Sequence, residues 1–274
     1  MNLANPATLR AVLALHGIDA RKGLGQHFLC STAAVAAIVA RFEGFAGLLE
    51  IGPGPGVLTA PLSRGAKVIA LELDEQMAGV LAESAPRADV RLQDAAKADL
   101  GAILAELPAP RGVVSNLPYY LTGLLVQSIA DAHGCFDKAV LMMQREVAER
   151  ILAQPGERER GSLSVYLQAR FTLTKVCHVP AGSFLPPPKV DSLVLELVPT
   201  GSTLPEAFFA VVRAGFAQPR KTLANNLAAS GRFSRSAIDA AIVAEGHSPT
   251  VRAHMLSLAE WERLFERLEA ARGG

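Results

Sequence analysis

The chain has 274 residues, half of them apolar and 19% charged, a composition that builds a packed core and excludes a disordered polymer. Lys+Arg 27 against Asp+Glu 26 leaves a formal net charge of +1, which excludes attachment to nucleic acid by bulk charge but leaves room for a local basic patch. Cys30, Cys135 and Cys177 lie far apart with no Cys-x-x-Cys pair, which speaks against a disulfide scaffold or a cysteine-rich zinc site and fits a reducing cytosol.

The mixed first ten residues carry no secretory pattern. The longest uncharged run, 112–130, holds Asn116-Leu117-Pro118 near its middle, which would leave backbone groups unsatisfied in lipid. A strand, a loop and a helix are expected there, and a cytoplasmic protein.

Up to about residue 200, strands and helices alternate. A short apolar strand over 48–51 runs into Gly52-Pro53-Gly54-Pro55-Gly56 and a helix over 57–64. A second strand, 67–71, closes on Glu72 and is followed by a helix over 75–82. A third, 90–93, closes on Asp94. The fourth, 112–115, precedes a helix through Leu124, Leu125, Val126 and Ile129, and the fifth, 139–143, leads into a helix over 145–152. Such alternation implies a parallel sheet covered on both faces. Beyond residue 160 the rhythm changes to a helix over 163–171 and extended runs over 175–179 and 193–198, joined by a proline-rich loop that suggests an antiparallel edge. From Pro205 only helical patterns remain, the last around Leu258, Trp261, Leu264, Phe265 and Leu268. Two domains are expected: 1–200, with an N-terminal helix and loop over 1–32, and a small all-α domain over 201–274.

Glycines 52, 54 and 56 between a strand and a helix let the backbone turn tightly and approach a ligand. Glu72 ends the next strand, twenty positions after Gly52, where a carboxylate can accept both hydroxyls of a ribose. Pro53 and Pro55 have no N–H, so the loop lacks two of the donors that cradle a phosphate, and no Gly-Lys-Ser/Thr follows. A ligand with a ribose and no phosphate fits, and S-adenosylmethionine is the common one; a tight structural turn is the alternative. Asp94, at a third strand end, is placed to accept from an adenine amino group, or else is a loop or N-cap residue.

Asn116-Leu117-Pro118-Tyr119 closes the fourth strand at the same crevice. An adenine N6 is a poor nucleophile because its lone pair is delocalised into the ring. The Asn116 amide oxygen and the Leu117 carbonyl, which precedes Pro118, can accept its two N–H bonds, and Tyr119 offers a stacking face. A cationic methyl donor needs no metal.

Five segments in order, Lys22-Gly23-Leu24-Gly25-Gln26-His27-Phe28-Leu29, Leu49-Glu50-Ile51-Gly52-Pro53-Gly54, Asn116-Leu117-Pro118-Tyr119, Gln144-Arg145-Glu146-Val147-Ala148-Glu149-Arg150 and Phe184-Leu185-Pro186-Pro187-Pro188-Lys189-Val190, resemble the bacterial small-subunit ribosomal RNA adenine N6,N6-dimethyltransferases over nearly the whole chain. The resemblance implies a Rossmann-like S-adenosylmethionine-dependent methyltransferase sheet. It also implies cofactor contacts from His27, Leu29, Gly52, Gly54, Glu72, Asp94 and Asn116, and a flipped-out adenine held by Tyr119 and Phe184. The implied substrate is 16S rRNA in the small ribosomal subunit, dimethylated at two adjacent adenosines of its 3′-terminal hairpin; the protein is expected to be a monomer. Phe184 is otherwise a core-filling aromatic. Tyr120, Cys30 and Pro219 depart from the residues usual in this family.

RNA contacts are expected from Arg220 and Lys221 near a helix start, and from Arg21 and Lys22, which could instead steady the N-terminal loop. Two other readings stand beside the first: a large-subunit rRNA adenine methylase of the same fold, and a ribosome-assembly factor without catalysis.

Overall fold

Asn5 starts the first helix: its side chain accepts the N–H groups of Ala7 and Thr8, and Pro6 takes the first helical position, so α1 runs Pro6–Leu15. The computed structural model describes residues 2–18 and 25–273; Arg21, Lys22 and the Lys22-Gly23-Leu24 part of the first family segment lie outside them. By their contacts the residues gather into two compact units, Met1–Ala148 with Thr172–Pro199, and Glu149–Phe171 with Thr200–Gly274. A single cut at residue 200 assigns 149–171 to the first unit, whereas these residues make their contacts in the second.

The first unit continues with β1 (Phe28–Leu29), α2 (Thr32–Val39), β2 (Gly47–Ile51), α3 (Thr59–Leu62), β3 (Lys67–Glu72), α4 (Met77–Ser84), β4 (Asp89–Leu92), α5 (Leu100–Ala105), β5 (Arg111–Asn116), α6 (Thr122–Asp131) and β6 (Lys138–Gln144). The start of α7 (Arg145–Leu152) follows; after α8 (Ser162–Arg170) the chain returns in β7 (Phe171–Val179), β8 (Phe184–Leu185) and β9 (Ser192–Pro199). Seven strands form one sheet in the order β4-β3-β2-β5-β6-β9-β7. From β4 to β6 neighbours are parallel, and β9 runs antiparallel to β6 with Leu141 opposite Leu195. The parallel sheet and its antiparallel edge follow the sequence reading. The helix expected over 57–64 shrinks to four residues, because Gly54 and Gly56 hold left-handed φ of +55° and +91° and keep the loop in turns until Thr59.

Side chains alternate across the strands. Leu48, Val68, Ala70, Val114, Val140, Met142 and Val194 belong to one buried cluster with Leu9, Leu13, Ile38, Val80 and Leu81 of the helices. The alternate set, Leu49, Ile69, Val113, Leu141 and Leu195, is equally buried. Both faces are therefore covered, as a parallel sheet requires. A second, two-stranded sheet pairs β1 with β8, Leu29 opposite Phe184 and Phe28 opposite Leu185.

In the second unit, α8 joins α9 (Glu206–Gly215), α10 (Leu223–Ala229), α11 (Arg235–Ala244) and α12 (Leu258–Gly273). Trp261 is fully buried and stacks on Phe216, and a Cβ at Gly215 would come within 2.5 Å of the indole, so α9 needs glycine there. Arg170 lies between the Tyr166 and Phe209 rings at 4.0 and 3.7 Å, which accounts for a buried cation of α8 in this core. Among the described residues no helix is long and apolar enough to cross a membrane.

Candidate active site

Strands β3 and β4 leave β2 on one side and β5 leaves it on the other, so the C-terminal ends of β2 and β5 flank a topological switch point. A cleft of about 1010 Å³, counted to its open mouth, occupies that position. It is lined by the 25–29 segment, Glu50 to Pro55, Glu72, Asp94 and Asn116 to Leu121. Of the site residues expected from sequence that are described in the first unit, all but Phe184 stand on its wall.

The glycine loop is shaped by contacts at two of its three glycines. Gly52 has φ +68° and a Cβ there would meet nothing within 4 Å, so the backbone is bare toward open space. A Cβ at Gly54 would touch the Phe28 ring at 3.2 Å, and one at Gly56 would collide with Ser84 Oγ. Ser84 Oγ in turn donates to the Pro55 carbonyl at 2.9 Å, which locks the loop onto α4.

Glu72 is held by the backbone. Its Oε2 accepts the Gly54 N–H at 2.9 Å, and its Oε1 accepts the N–H groups of Leu73 and Asp74, each at 2.9 Å. Three of a carboxylate's four acceptor positions are thereby filled. Burial raises its pKa, against the lowering effect of those three bonds. One position remains for a ligand hydroxyl, fewer than the two that the sequence spacing suggested. Asp94 is looser: Oδ1 accepts the Ala96 N–H at 3.0 Å and Oδ2 lies 3.5 Å from Lys97 Nζ. It is at once a turn residue and part of the cleft wall.

Glu50 was quoted only as part of a motif, yet it lines the cleft fully buried. Among the described residues its Oε2 has no hydrogen-bond partner, and burial pushes its carboxyl up to about 8, with the neighbouring Thr59 hydroxyl lowering it and the Glu72 charge raising it. Among the described residues the cleft wall holds three carboxyl groups and neither lysine nor arginine. With Glu50 protonated at neutral pH, Glu72 and Asp94 carry the charge of this wall, which disfavours a phosphate and favours a cation. S-adenosylmethionine, with its sulfonium and ammonium groups, matches that charge.

At the other end of the cleft, Asn116 Nδ2 donates to the His27 carbonyl at 3.0 Å. That bond fixes which way the amide points and leaves Oδ1 without a hydrogen bond among the described residues. Leu117 is buried and its N–H donates to the Met142 carbonyl at 3.0 Å, while the Pro118 carbonyl takes the Leu121 N–H at 3.0 Å and the Thr122 hydroxyl at 3.1 Å. The backbone around the motif is therefore rigid. Tyr119 stacks on His27, centroids 5.3 Å apart and planes at 29°, and its hydroxyl lies 3.0 Å from Ser192 Oγ. Burial raises the pKa of its phenol, the Ser192 bond opposing. Leu29 is buried in the same wall, and Gln26 Nε2 donates to Asp74 Oδ2 at 2.9 Å, tying the N-terminal segment to the turn after β3.

Phe184 corrects the expectation placed on it. The β1–β8 pairing turns its ring into the core cluster with Phe28, Leu29, Cys30 and Val179, where it is 3% exposed and not on the cleft wall. Its backbone pairs with Leu29 of the N-terminal strand. Ser192 was missed because a serine opening a strand carries no local signal.

In the second unit, Arg213, Arg232 and Arg235 are paired with Glu206, Glu269 and Asp239. Arg220 and Lys221, in the turn before α10, are exposed and have no ion-pair partner among the described residues.

A sequence model described as ribosomal RNA adenine dimethylase matches residues 17–269. The chain is 40% identical to "Ribosomal RNA small subunit methyltransferase A" of Geobacillus thermodenitrificans, covering 97% of each chain, and 43% identical to the protein of that name in Deinococcus radiodurans, covering 94% of this chain and 88% of the relative. Among solved structures it resembles a dimethyladenosine transferase from Plasmodium falciparum, with TM-score 0.73, 26% identity and coverage of 90% and 98%. It also resembles the 23S rRNA methyltransferase ErmE, with TM-score 0.67, 26% identity and coverage of 88% and 99%.

Proposed function

This chain belongs to the ribosomal RNA adenine dimethylase family, and we propose that it converts two adjacent adenosines in the 3′-terminal hairpin of 16S rRNA to N6,N6-dimethyladenosine, acting on pre-assembled small subunits. The methyl groups come from S-adenosylmethionine, which when bound supplies a methyl carbon made electrophilic by its sulfonium. The protein is a methyltransferase that acts on rRNA.

The observation that carries the reading is the Asn116 amide, tied at Nδ2 to the His27 carbonyl and open at Oδ1 on the cleft. An acceptor fixed in this way takes an N–H of the target amine and offsets the positive charge that develops on nitrogen as it is alkylated. The Leu117 carbonyl takes the second N–H, and the Tyr119 ring stacks on the base once it has left its helix. At the other end Glu72 accepts a ribose hydroxyl at its remaining position, Asp94 accepts from the cofactor's adenine, and Gly52 and Gly54 let the backbone approach it. His27 and Leu29 close that wall. Because the donor is already cationic, the chemistry calls for no metal. Arg220 and Lys221 supply phosphate contacts from the helical unit, and the working form is a cytoplasmic monomer.

The test uses purified protein, labelled S-adenosylmethionine and small subunits from cells lacking the dimethylation, with large subunits and naked rRNA as controls and primer extension to map stops. Label on small subunits with stops at two neighbouring adenosines near the 3′ end is the expected result. Label on the large subunit would favour the activity named for the structural relative ErmE. Tight cofactor and subunit binding without label would leave an assembly factor.

A further inference from the structure

Tyr119 is held from two directions. Its hydroxyl meets Ser192 Oγ at 3.0 Å, and Ser192 is fully buried at the start of β9, opposite Gln144. Its ring lies on His27, whose Nδ1 is 2.8 Å from the Pro186 carbonyl and whose own carbonyl holds Asn116. The acceptor for the amine and the ring beneath the base thus share one frame, assembled from four stretches of chain.

We propose that Ser192 and His27 are positioning residues that fix the plane of Tyr119, and that this fixed plane governs the second methyl transfer to each adenine more than the first. The inference rests on the reading that the substrate is an adenine N6. In each transfer the N6 lone pair forms the new N–C bond while the C–S bond of the methylsulfonium donor breaks, leaving a neutral thioether; one N6 proton passes to water.

An unmethylated N6 brings two N–H groups, so Asn116 Oδ1 and the Leu117 carbonyl hold it at two points. A singly methylated N6 has one N–H left. A base held by one hydrogen bond can turn about it, and its orientation then depends on the ring on which it stacks. Freeing that ring costs the second step more than the first. A tyrosine at this place needs its hydroxyl tethered for the purpose, and a buried serine at the mouth of β9 does so.

The experiment compares wild type, Ser192→Ala, Tyr119→Phe, His27→Ala and the Ser192→Ala/Tyr119→Phe double variant on undermethylated small subunits. The ratio of N6-methyladenosine to N6,N6-dimethyladenosine is read by mass spectrometry of digested RNA, and S-adenosylmethionine affinity is read by calorimetry. Ser192→Ala, Tyr119→Phe and His27→Ala should each raise the monomethyl share several-fold, about tenfold for the first two; cofactor affinity should stay within about twofold of wild type in Ser192→Ala and Tyr119→Phe, while His27→Ala, which also removes part of the proposed cofactor wall, is read by the ratio alone. The double variant should do no worse than either of its singles, because one bond is removed in all three. Tyr119→Phe reads the same bond from its less buried end, without touching the interior. An unchanged ratio in Ser192→Ala with active wild type, or losses that multiply in the double variant, would overturn the proposal. Wild type that leaves small subunits unlabelled would overturn the substrate reading, and this inference with it.

Discussion

The two ends of the cleft are built from different materials. Around Glu72 the fixed groups are main-chain N–H groups of Gly54, Leu73 and Asp74, all within a turn of β2 or β3. Around Asn116 the fixed groups include a carbonyl from residue 27, a histidine ring, and a serine from residue 192. The end proposed to take the cofactor is therefore local and stiff. The end proposed to take the base is a convergence of distant segments and depends on tertiary pairing. An end whose donors are backbone is damaged by removing the carboxylate that gathers them; an end made of side chains can be taken apart one at a time.

Asn116→Ala should show the largest effect and should show it at one end only. Removing the fixed acceptor is expected to lower kcat by about 10²- to 10³-fold, while S-adenosylmethionine affinity changes only a few-fold; single-turnover methyl transfer and calorimetry separate the two. Glu72→Ala should do the opposite. It strands three N–H groups, of which that of Asp74 is buried, so the expected loss is about 1–3 kcal/mol of stability together with at least tenfold weaker cofactor binding, read by thermal melting and calorimetry. If Glu72→Ala proved thermally neutral, the claim that the carboxylate organises the loop would fall.

A third change spares both ends. Arg220→Ala with Lys221→Ala should raise KM for small subunits by about tenfold and flatten its dependence on salt, with cofactor affinity unaltered. Equal salt slopes for variant and wild type would remove these residues from the RNA contact.

The last prediction concerns Glu50, whose folded-state pKa is raised from 4.5 to about 8 by burial. A raised carboxyl pKa means that the folded chain keeps its proton longer than the unfolded one. This contribution to stability is complete below about pH 4.5, declines as pH rises, and is gone above about pH 8. Glu50→Gln, which cannot ionise, should therefore gain stability relative to wild type as pH goes from 5 to 9. Melting curves of the cofactor-free protein at a series of pH values measure it; a difference that stays constant across them would contradict the assignment.

What could be read in the sequence follows the same division. The strand ends at Gly52, Glu72 and Asn116 were legible because each ends a run of buried apolar residues, and a strand's end is a local property; Asp94 was legible only from its place in the alternation, since β4 is half exposed. The antiparallel edge was legible from the change in rhythm after residue 160. The assignment of 149–171 to the helical unit was not, since nothing in an amphipathic segment names its partner. Nor was the inward turn of Phe184, which the pairing of two-residue strands decides, nor the bond from Ser192 to Tyr119, 73 positions away. Glu72 was assigned to a ribose from its spacing, but spacing does not reveal that backbone donors already occupy most of its acceptor positions.

The β1–β8 pairing has a consequence for synthesis. Phe28 and Leu29 leave the translating ribosome early, but their strand partners, Leu185 and Phe184, follow more than 150 residues later. A contact of such long sequence separation closes late. The nascent chain can form its parallel strands and glycine loop while the segment bearing His27 still has no partner strand. The stack on Tyr119 and the tie to Pro186 then come together only with the last strands of the sheet. A chain stopped short of residue 184 would carry the cofactor loop yet lack the partner strand for its N-terminal segment, so completion of the base end reports completion of the catalytic unit itself.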